Sequence, residues 1–252
     1  MADAFITVDN IGRTFTGENT VTALQEISFS LNKGEFLCIV GQSGCGKSTL
    51  LRIMSGVDPI HEGKVTINGK VVDKPDPSRG MVFQESRLLS WMTVSQNVGF
   101  ALKEKEKEKR NQLIDEYVSL VGLADFRHSY PRELSGGMAQ RVSIARALVN
   151  QPEVLFMDEP FGALDYMTKI NMQNELLRIR GKNQMTIIFV THDIDEAVYL
   201  SDTILIMSKN PGKVKKVIQN TLPSPRNRNS EEFLEIKKQV YDCFFIQEGK
   251  EA

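Results

Sequence analysis

The sequence predicts an α/β protein: a mostly parallel sheet, an antiparallel β subdomain at the N-terminal end, and an inserted helical subdomain. Three observations lead there. First, the glycine-rich stretch Gly41-Gln-Ser43-Gly44-Cys45-Gly46-Lys47-Ser48-Thr49 follows the apolar run Phe36 to Val40 and opens a helix-like segment, Leu50 to Met54. Strand, loop and helix succeed one another in the setting of a phosphate-binding loop. Second, the short apolar runs Met81 to Phe83, Val154 to Met157, Thr186 to Val190 and Ile204 to Met207 are each followed by polar or glycine-containing segments. Such runs read as buried strands, and their alternation with helical stretches gives a parallel sheet whose ligands gather at the strands' carboxyl ends. Third, the character changes between Asn97 and Asn150, where Leu113, Ile114, Tyr117, Val118 and Val121 recur at helical spacing. These limits define the expected organisation: residues 1–96 and 151–222 as a core, 97–150 as the helical insertion, and 223–252 as a linker with a short helix.

The remaining elements follow in order. Phe5 to Val8 and Ile27 to Leu31 are β-like and form the antiparallel flap, with Asn32-Lys-Gly34 as a tight turn before Phe36. The alternating run Lys103 to Arg110 reads as a solvated helix face or an exposed loop. Asn220 to Arg228, with Pro223 and Pro225, reads as a linker; Phe233, Leu234, Ile236, Val240 and Tyr241 then suit an amphipathic helix over Glu231 to Phe245.

Bulk properties bound the function. A net charge of -1 gives no support to a nucleic-acid partner held by phosphate attraction. No apolar run approaches the roughly 18 residues of a membrane span, and Met1-Ala-Asp-Ala-Phe5 lacks the features of a secretory leader, so a soluble cytoplasmic chain is expected. The 3 cysteines, Cys38, Cys45 and Cys243, lack metal-ligand spacing and read as reduced thiols. Cys45 is either an oxidation-sensitive spot in the loop or a small residue tolerated there.

The chemistry concentrates in a few segments. In the first loop, glycines let consecutive N–H groups turn on an anion, Lys47 reaches the β- and γ-phosphates, and Ser48 offers a hydroxyl to Mg²⁺. Val154 to Met157 runs into Asp158-Glu159-Pro160, a strand ending in two carboxylates. Asp158 would hold the Mg²⁺ shell, and Glu159, pointing elsewhere, would polarise an attacking water. In Leu134-Ser135-Gly136-Gly137-Met-Ala-Gln140 the Ser and glycines stand at the start of a helical run, Met138 to Leu148. Alone it reads equally as a Ser N-cap with a Gly-Gly turn or as a second anion-binding helix start.

Taken together these segments resemble the ATP-binding cassette family over nearly the whole chain. Walker A matches Gly41 to Thr49, the Q-loop Gln84, the signature Leu134 to Gln140, Walker B Val154 to Glu159, the D-loop Ala163-Leu164-Asp165, and the switch histidine His192. The resemblance implies a P-loop NTPase (RecA-like) core that binds and hydrolyses ATP with Mg²⁺. It implies that Gln84 senses Mg²⁺ and water, that His192 contacts the γ-phosphate, and that Phe15 stacks on adenine; a core Phe is the competing reading. It also implies a head-to-tail dimer, taken as a homodimer, in which Ser135, Gly136 and Gly137 of one copy complete the ATP site of the other.

A finer resemblance is to the ATPase subunits of nitrate, sulfonate and taurine-type importers. It rests on Val82-Phe-Gln-Glu-Ser-Arg-Leu-Leu-Ser-Trp91, on Met157 to Asp165, and on Ser224-Pro-Arg-Asn-Arg with Glu232-Phe-Leu-Glu after it. Ser86, Ser90, Ala139 and Tyr166-Met167 depart from the family pattern. The subfamily implies a peripheral protein on the cytoplasmic face of the membrane, working with an integral membrane permease and an extracytoplasmic solute-binding protein. An exporter subunit or a soluble ABC ATPase is the alternative, although Gly41 and Leu134 are too close in sequence for an intervening long coiled coil. Glu85 to Met92 carries Leu88, Leu89, Met92 and the only tryptophan, Trp91. Either these residues pack beneath the helical subdomain or they line a groove for a permease helix.

Overall fold

A computed structural model describes residues 4–17, 20–102 and 106–245. The chain forms two compact units, residues 1–76 with 186–252, and residues 77–185.

In the first unit, β1 (Ile6–Phe15) pairs antiparallel with both β2 (Val21–Leu31) and β4 (Glu62–Ile67), and β4 continues to β5 (Lys70–Val71), in the order β2-β1-β4-β5. This is the expected flap, with longer strands. Asn10 and Glu26 take positive φ, and the register shifts near them. Such bulges interrupt the period-two pattern from which strand length is read.

The same unit holds β3 (Phe36–Gly41), β8 (Thr186–Thr191), β9 (Thr203–Met207) and β10 (Val214–Gln219). Every residue of the first three is buried, as continuous apolar runs in a sheet covered on both faces should be. β3 lies parallel to both β8 and β9, and β10 pairs antiparallel with β9.

Helix α1 (Lys47–Ser55) packs on β3 and β8, and ends at Gly56, φ 82°. There Val57 N–H donates to Arg52 O at 2.9 Å, and a Cβ on Gly56 would strike the Lys74 carbonyl. Glycine is required by both conformation and space. Helix α6 (Ile194–Leu200) packs on β3 and on α7 (Glu231–Phe245). The last helix matches the expected span, and Phe233, Ile236 and Val240 are buried. Leu234 and Tyr241, read as part of its apolar face, are instead exposed. Residues 220–228 are held against α6: Asn220 Nδ2 donates to Val198 O at 2.7 Å, and Arg226 to Tyr199 O at 2.8 Å.

In the second unit, β6 (Arg79–Val82) and β7 (Val154–Asp158) are parallel neighbours. Helices α2 (Val94–Gly99), α3 (Lys107–Leu120) and α4 (Gly136–Leu148) pack on one another. Ile114, Tyr117 and Val118 of α3 are buried, while its Lys107 to Lys109 are exposed, the solvated face expected of the charge run; Lys103 to Lys105 lie outside the described residues. Helix α5 (Tyr166–Asn183) places Met172, Leu176 and Ile179 in one apolar pocket with Ile144, Met157 and Phe161. Among the described residues no helix is long and apolar enough to cross a membrane.

Candidate nucleotide site

Each unit carries part of the predicted chemistry at the carboxyl ends of its parallel strands. In the first unit, β3 runs straight into the glycine loop, and Val40 pairs with Thr191 at the end of β8. The loop Gly41 to Gly46 and exposed His192 therefore leave the sheet at adjacent strand ends. Gly44 (φ 80°) and Gly46 (φ 94°) take left-handed backbone. A Cβ on Gly46 would come within 2.6 Å of Leu24 Cδ2 and 2.9 Å of Ala23 O, so this position admits only glycine.

Gly46 is also the N-cap of α1, with no side chain to occupy the helix start. The positive end of the helix dipole faces the loop there. Lys47 is buried, and its Nζ donates to Gly41 O at 2.8 Å and Gln42 O at 3.2 Å. A desolvated ammonium is thereby held by the loop itself. The Cys45 sulfur lies 4.0 Å from that nitrogen, yet burial dominates and pushes its thiol above the usual range. Cys45 is itself buried in the loop. Ser43 is exposed, while Ser48 and Thr49 are half-buried in the first turn of α1.

Phe15 ends β1 and is 42% exposed, so the competing core reading falls. The Arg13 guanidinium lies 4.3 Å from its ring centroid and is fixed by Asp58 Oδ2 at 3.2 Å. Neither partner was foreseen, because Asp58 is distant in sequence and no local pattern joins it to Phe15. One face of the ring is thus committed to a cation–π contact.

In the second unit, Val82 of β6 pairs with Met157 of β7, so Gln84 and the Asp158-Glu159 pair also leave adjacent strand ends. Asp158 is buried, and Glu159 is half-buried with φ 45°. A non-glycine residue in that region is strained and turns its side chain off the strand's alternation.

Ser135 caps α4, its Oγ accepting from Met138 N–H at 3.2 Å, while Gly136 is exposed with open space around its Cβ position. A Cβ on Gly137 would lie 2.9 Å from Ala163 O, so the start of α4 is seated on the turn before Asp165. Asp165 caps α5 through Thr168 N–H at 3.0 Å; that hydrogen bond holds its carboxyl below the ordinary range.

The segment from Phe83 to Met92 is tethered from the helices. Gln140 Nε2 donates to Phe83 O at 3.0 Å, Arg146 to Ser86 O and Arg87 O at 2.9 Å each, and Asn97 Nδ2 to Leu89 O at 3.1 Å and Met92 O at 3.0 Å. Trp91, held on this scaffold, is 70% exposed. The reading that packs it beneath the helices is therefore corrected for Trp91, although Leu88 and Leu89 are half-buried.

A glycine loop around a buried lysine, carboxylates at a strand end and a glycine-started helix define a nucleotide-hydrolysing cassette, and the chain belongs to the ABC transporter family, whose model matches residues 24–162. It is 49% identical over 240 residues to an aliphatic sulfonates import ATP-binding protein SsuB of Bacillus cereus, covering 95% of each chain. It is 48% identical to the SsuB protein of Bacillus subtilis over 223 residues, 88% of this chain and 87% of the other. Among solved structures, a dimeric post-hydrolysis state of the ATP-binding cassette MJ0796 bound to ADP and Pi is similar. It has a TM-score of 0.78 and 30% identity, over 88% of this chain and 99% of that one.

Proposed function

We propose that this chain is the ATP-hydrolysing subunit of an ABC importer for aliphatic sulfonates, acting as a homodimer on the cytoplasmic face of the membrane. The observation that carries the ATPase reading is the loop of left-handed glycines at the start of α1 with the buried Lys47 ammonium beside it. A phosphate there gains the helix dipole and a positive charge in a low-dielectric setting. The names of the SsuB relatives support import over export and a sulfonate over nitrate.

In this reading Lys47 and the amides of Gly41 to Thr49 bind the phosphates, while Phe15 offers its second ring face to adenine. Glu159 orients and polarises water, and His192 holds the γ-phosphate. Ser135, Gly136 and Gly137, with Asp165, act on the nucleotide of the opposing copy. Ser48, Gln84 and Asp158 are oxygen donors of the type that suits Mg²⁺, which when bound would neutralise charge on the β- and γ-phosphates. A separate permease docks near Glu85–Met92, and an extracytoplasmic solute-binding protein delivers the solute.

Glu159→Gln tests the hydrolytic role. The variant keeps the phosphate cradle and loses the polarising carboxylate, so ATP binding should persist while turnover falls about 100-fold or more, with an ATP-bound dimer accumulating. ATPase activity near the native rate would remove Glu159 from that role. For the membrane partner, Trp91→Ala should keep fold and basal ATPase and lose permease-stimulated ATPase, because an exposed aromatic anchor contributes disproportionately to docking. Unchanged stimulation would move the docking site elsewhere. Reconstitution with permease and binding protein identifies the solute: uptake of labelled ethanesulfonate is expected, and uptake of nitrate without any sulfonate would contradict the sulfonate assignment.

A further inference from the structure

Between β8 and α6 a closed set of hydrogen bonds surrounds one exposed residue. Thr191, buried at the end of β8, donates its hydroxyl to Glu196 Oε2 at 2.6 Å and accepts from Asp193 N–H at 3.0 Å. Asp193 Oδ1 in turn accepts from the N–H groups of Asp195 at 2.9 Å and Glu196 at 3.3 Å. The ring of contacts runs 191, 193, 196 and back to 191. His192 is the residue it encloses in sequence, and its own side chain is exposed. Glu196 is 4% exposed and belongs to none of the ATPase motifs, although burying a carboxylate is costly unless its hydrogen bonds do something specific.

We propose that Glu196 and Thr191 are positioning residues for His192, fixing the strand-to-helix turn so that the imidazole is presented in one orientation. The inference rests on the reading of His192 as the γ-phosphate contact. Physically, the Thr191 hydroxyl links the Asp193 N–H at 3.0 Å to the buried Glu196 carboxylate at 2.6 Å, so the turn on either side of residue 192 is tied to the start of α6. Loss of either partner frees the turn without altering the glycine loop, and misplacement of a reacting group by about 1 Å can cost on the order of 100-fold in rate. Nucleotide binding, which depends on Lys47 and the loop, should be indifferent.

The test is steady-state ATPase with ATP and Mg²⁺ on the full chain, with nucleotide affinity measured in parallel. Thr191→Val and Glu196→Ala should each lower kcat about tenfold or more with KM and ATP affinity unchanged. Thr191→Ser and Glu196→Gln, which keep a hydroxyl donor or an oxygen acceptor, should restore most of it. If Glu196→Ala fails to fold, the Thr191→Val and Thr191→Ser pair carries the comparison. His192→Ala separates the two levels of the argument. On that background Glu196→Ala or Thr191→Val should cause no further loss, because the group being positioned is gone. A defective His192→Ala enzyme that loses the same factor again overturns the positioning role and leaves the His192 reading standing. A His192→Ala enzyme with native kcat overturns the His192 reading, and this inference with it.

Discussion

The starts of α1 and α4 are both glycine-rich helix N-termini, and they are built in opposite ways. At α1, Gly44 and Gly46 take left-handed backbone, Gly46 is wedged against Leu24 and Ala23, and Lys47 is buried beside the loop. At α4, Ser135 caps the helix, Gly136 faces open space, and of Ser135 to Gly137 only Gly137 is pressed on a neighbour, the Ala163 carbonyl. The first is an enclosed cradle that carries its own cation. The second is an exposed donor surface with a small-residue face and no charge of its own at positions 135 to 137. In the proposed function the first binds an anion unaided, the second adds donors to an anion held by the opposing copy, and this contrast is the physical basis of a divided site.

The largest expected effect that can break the contrast lies at the cation. Lys47→Ala should abolish measurable ATP binding by the isolated chain in calorimetry, whereas Ser135→Arg should leave monomer binding within about twofold of native and abolish hydrolysis. Equal binding losses in both would mean that the two helix starts act on the same nucleotide within one chain. The glycines give a smaller, structural version. Gly46→Ala forces a side chain into left-handed backbone and into Leu24, so it should destabilise by about 1–3 kcal/mol or more. Gly136→Ala meets nothing within 4 Å and should stay within about 0.5 kcal/mol of native in thermal or denaturant unfolding. A comparable loss at Gly136 would show that α4's start is not the open surface described.

Local pattern made some of this legible and long-range contact hid the rest. The apolar runs of β3, β7, β8 and β9, the span of α7, and the Ser135 cap all depend on neighbours within a few residues, and all could be read from the chain. Strands β4, β5 and β10 could not, since Glu62, Lys64, Lys70, Lys215 and Lys216 break the apolar alternation that marks a strand and the strands owe their place to pairing with β1, β4 and β9 respectively. Helix α5 passed unnoticed because its buried face is narrow: Met172, Gln173, Leu176 and Ile179 are its buried residues. Leu234 and Tyr241 sit at helical spacing beside truly buried residues, and spacing alone does not say where a packed stripe stops. In the site, every predicted residue is found at a strand end, loop or helix start, but the groups that hold them are remote. Asp58 fixes Arg13 against Phe15, and Arg146 and Asn97 hold the Glu85–Met92 segment. No motif announces such pairs; they follow only from the tertiary fold.

The division of the site between copies is tested most directly by mixing Lys47→Ala and Ser135→Arg chains under conditions that allow subunit exchange. Each variant alone should be inactive, the first because both cradles lack their cation, the second because both exposed donor surfaces are blocked. The mixed dimer concentrates both lesions in one composite site and leaves the other intact, so ATPase activity should reappear at a fraction of the native rate. Exchange demonstrated by mass or fluorescence with no recovery of activity would contradict the account: either the start of α4 does not act across the dimer, or one intact composite site cannot turn over alone.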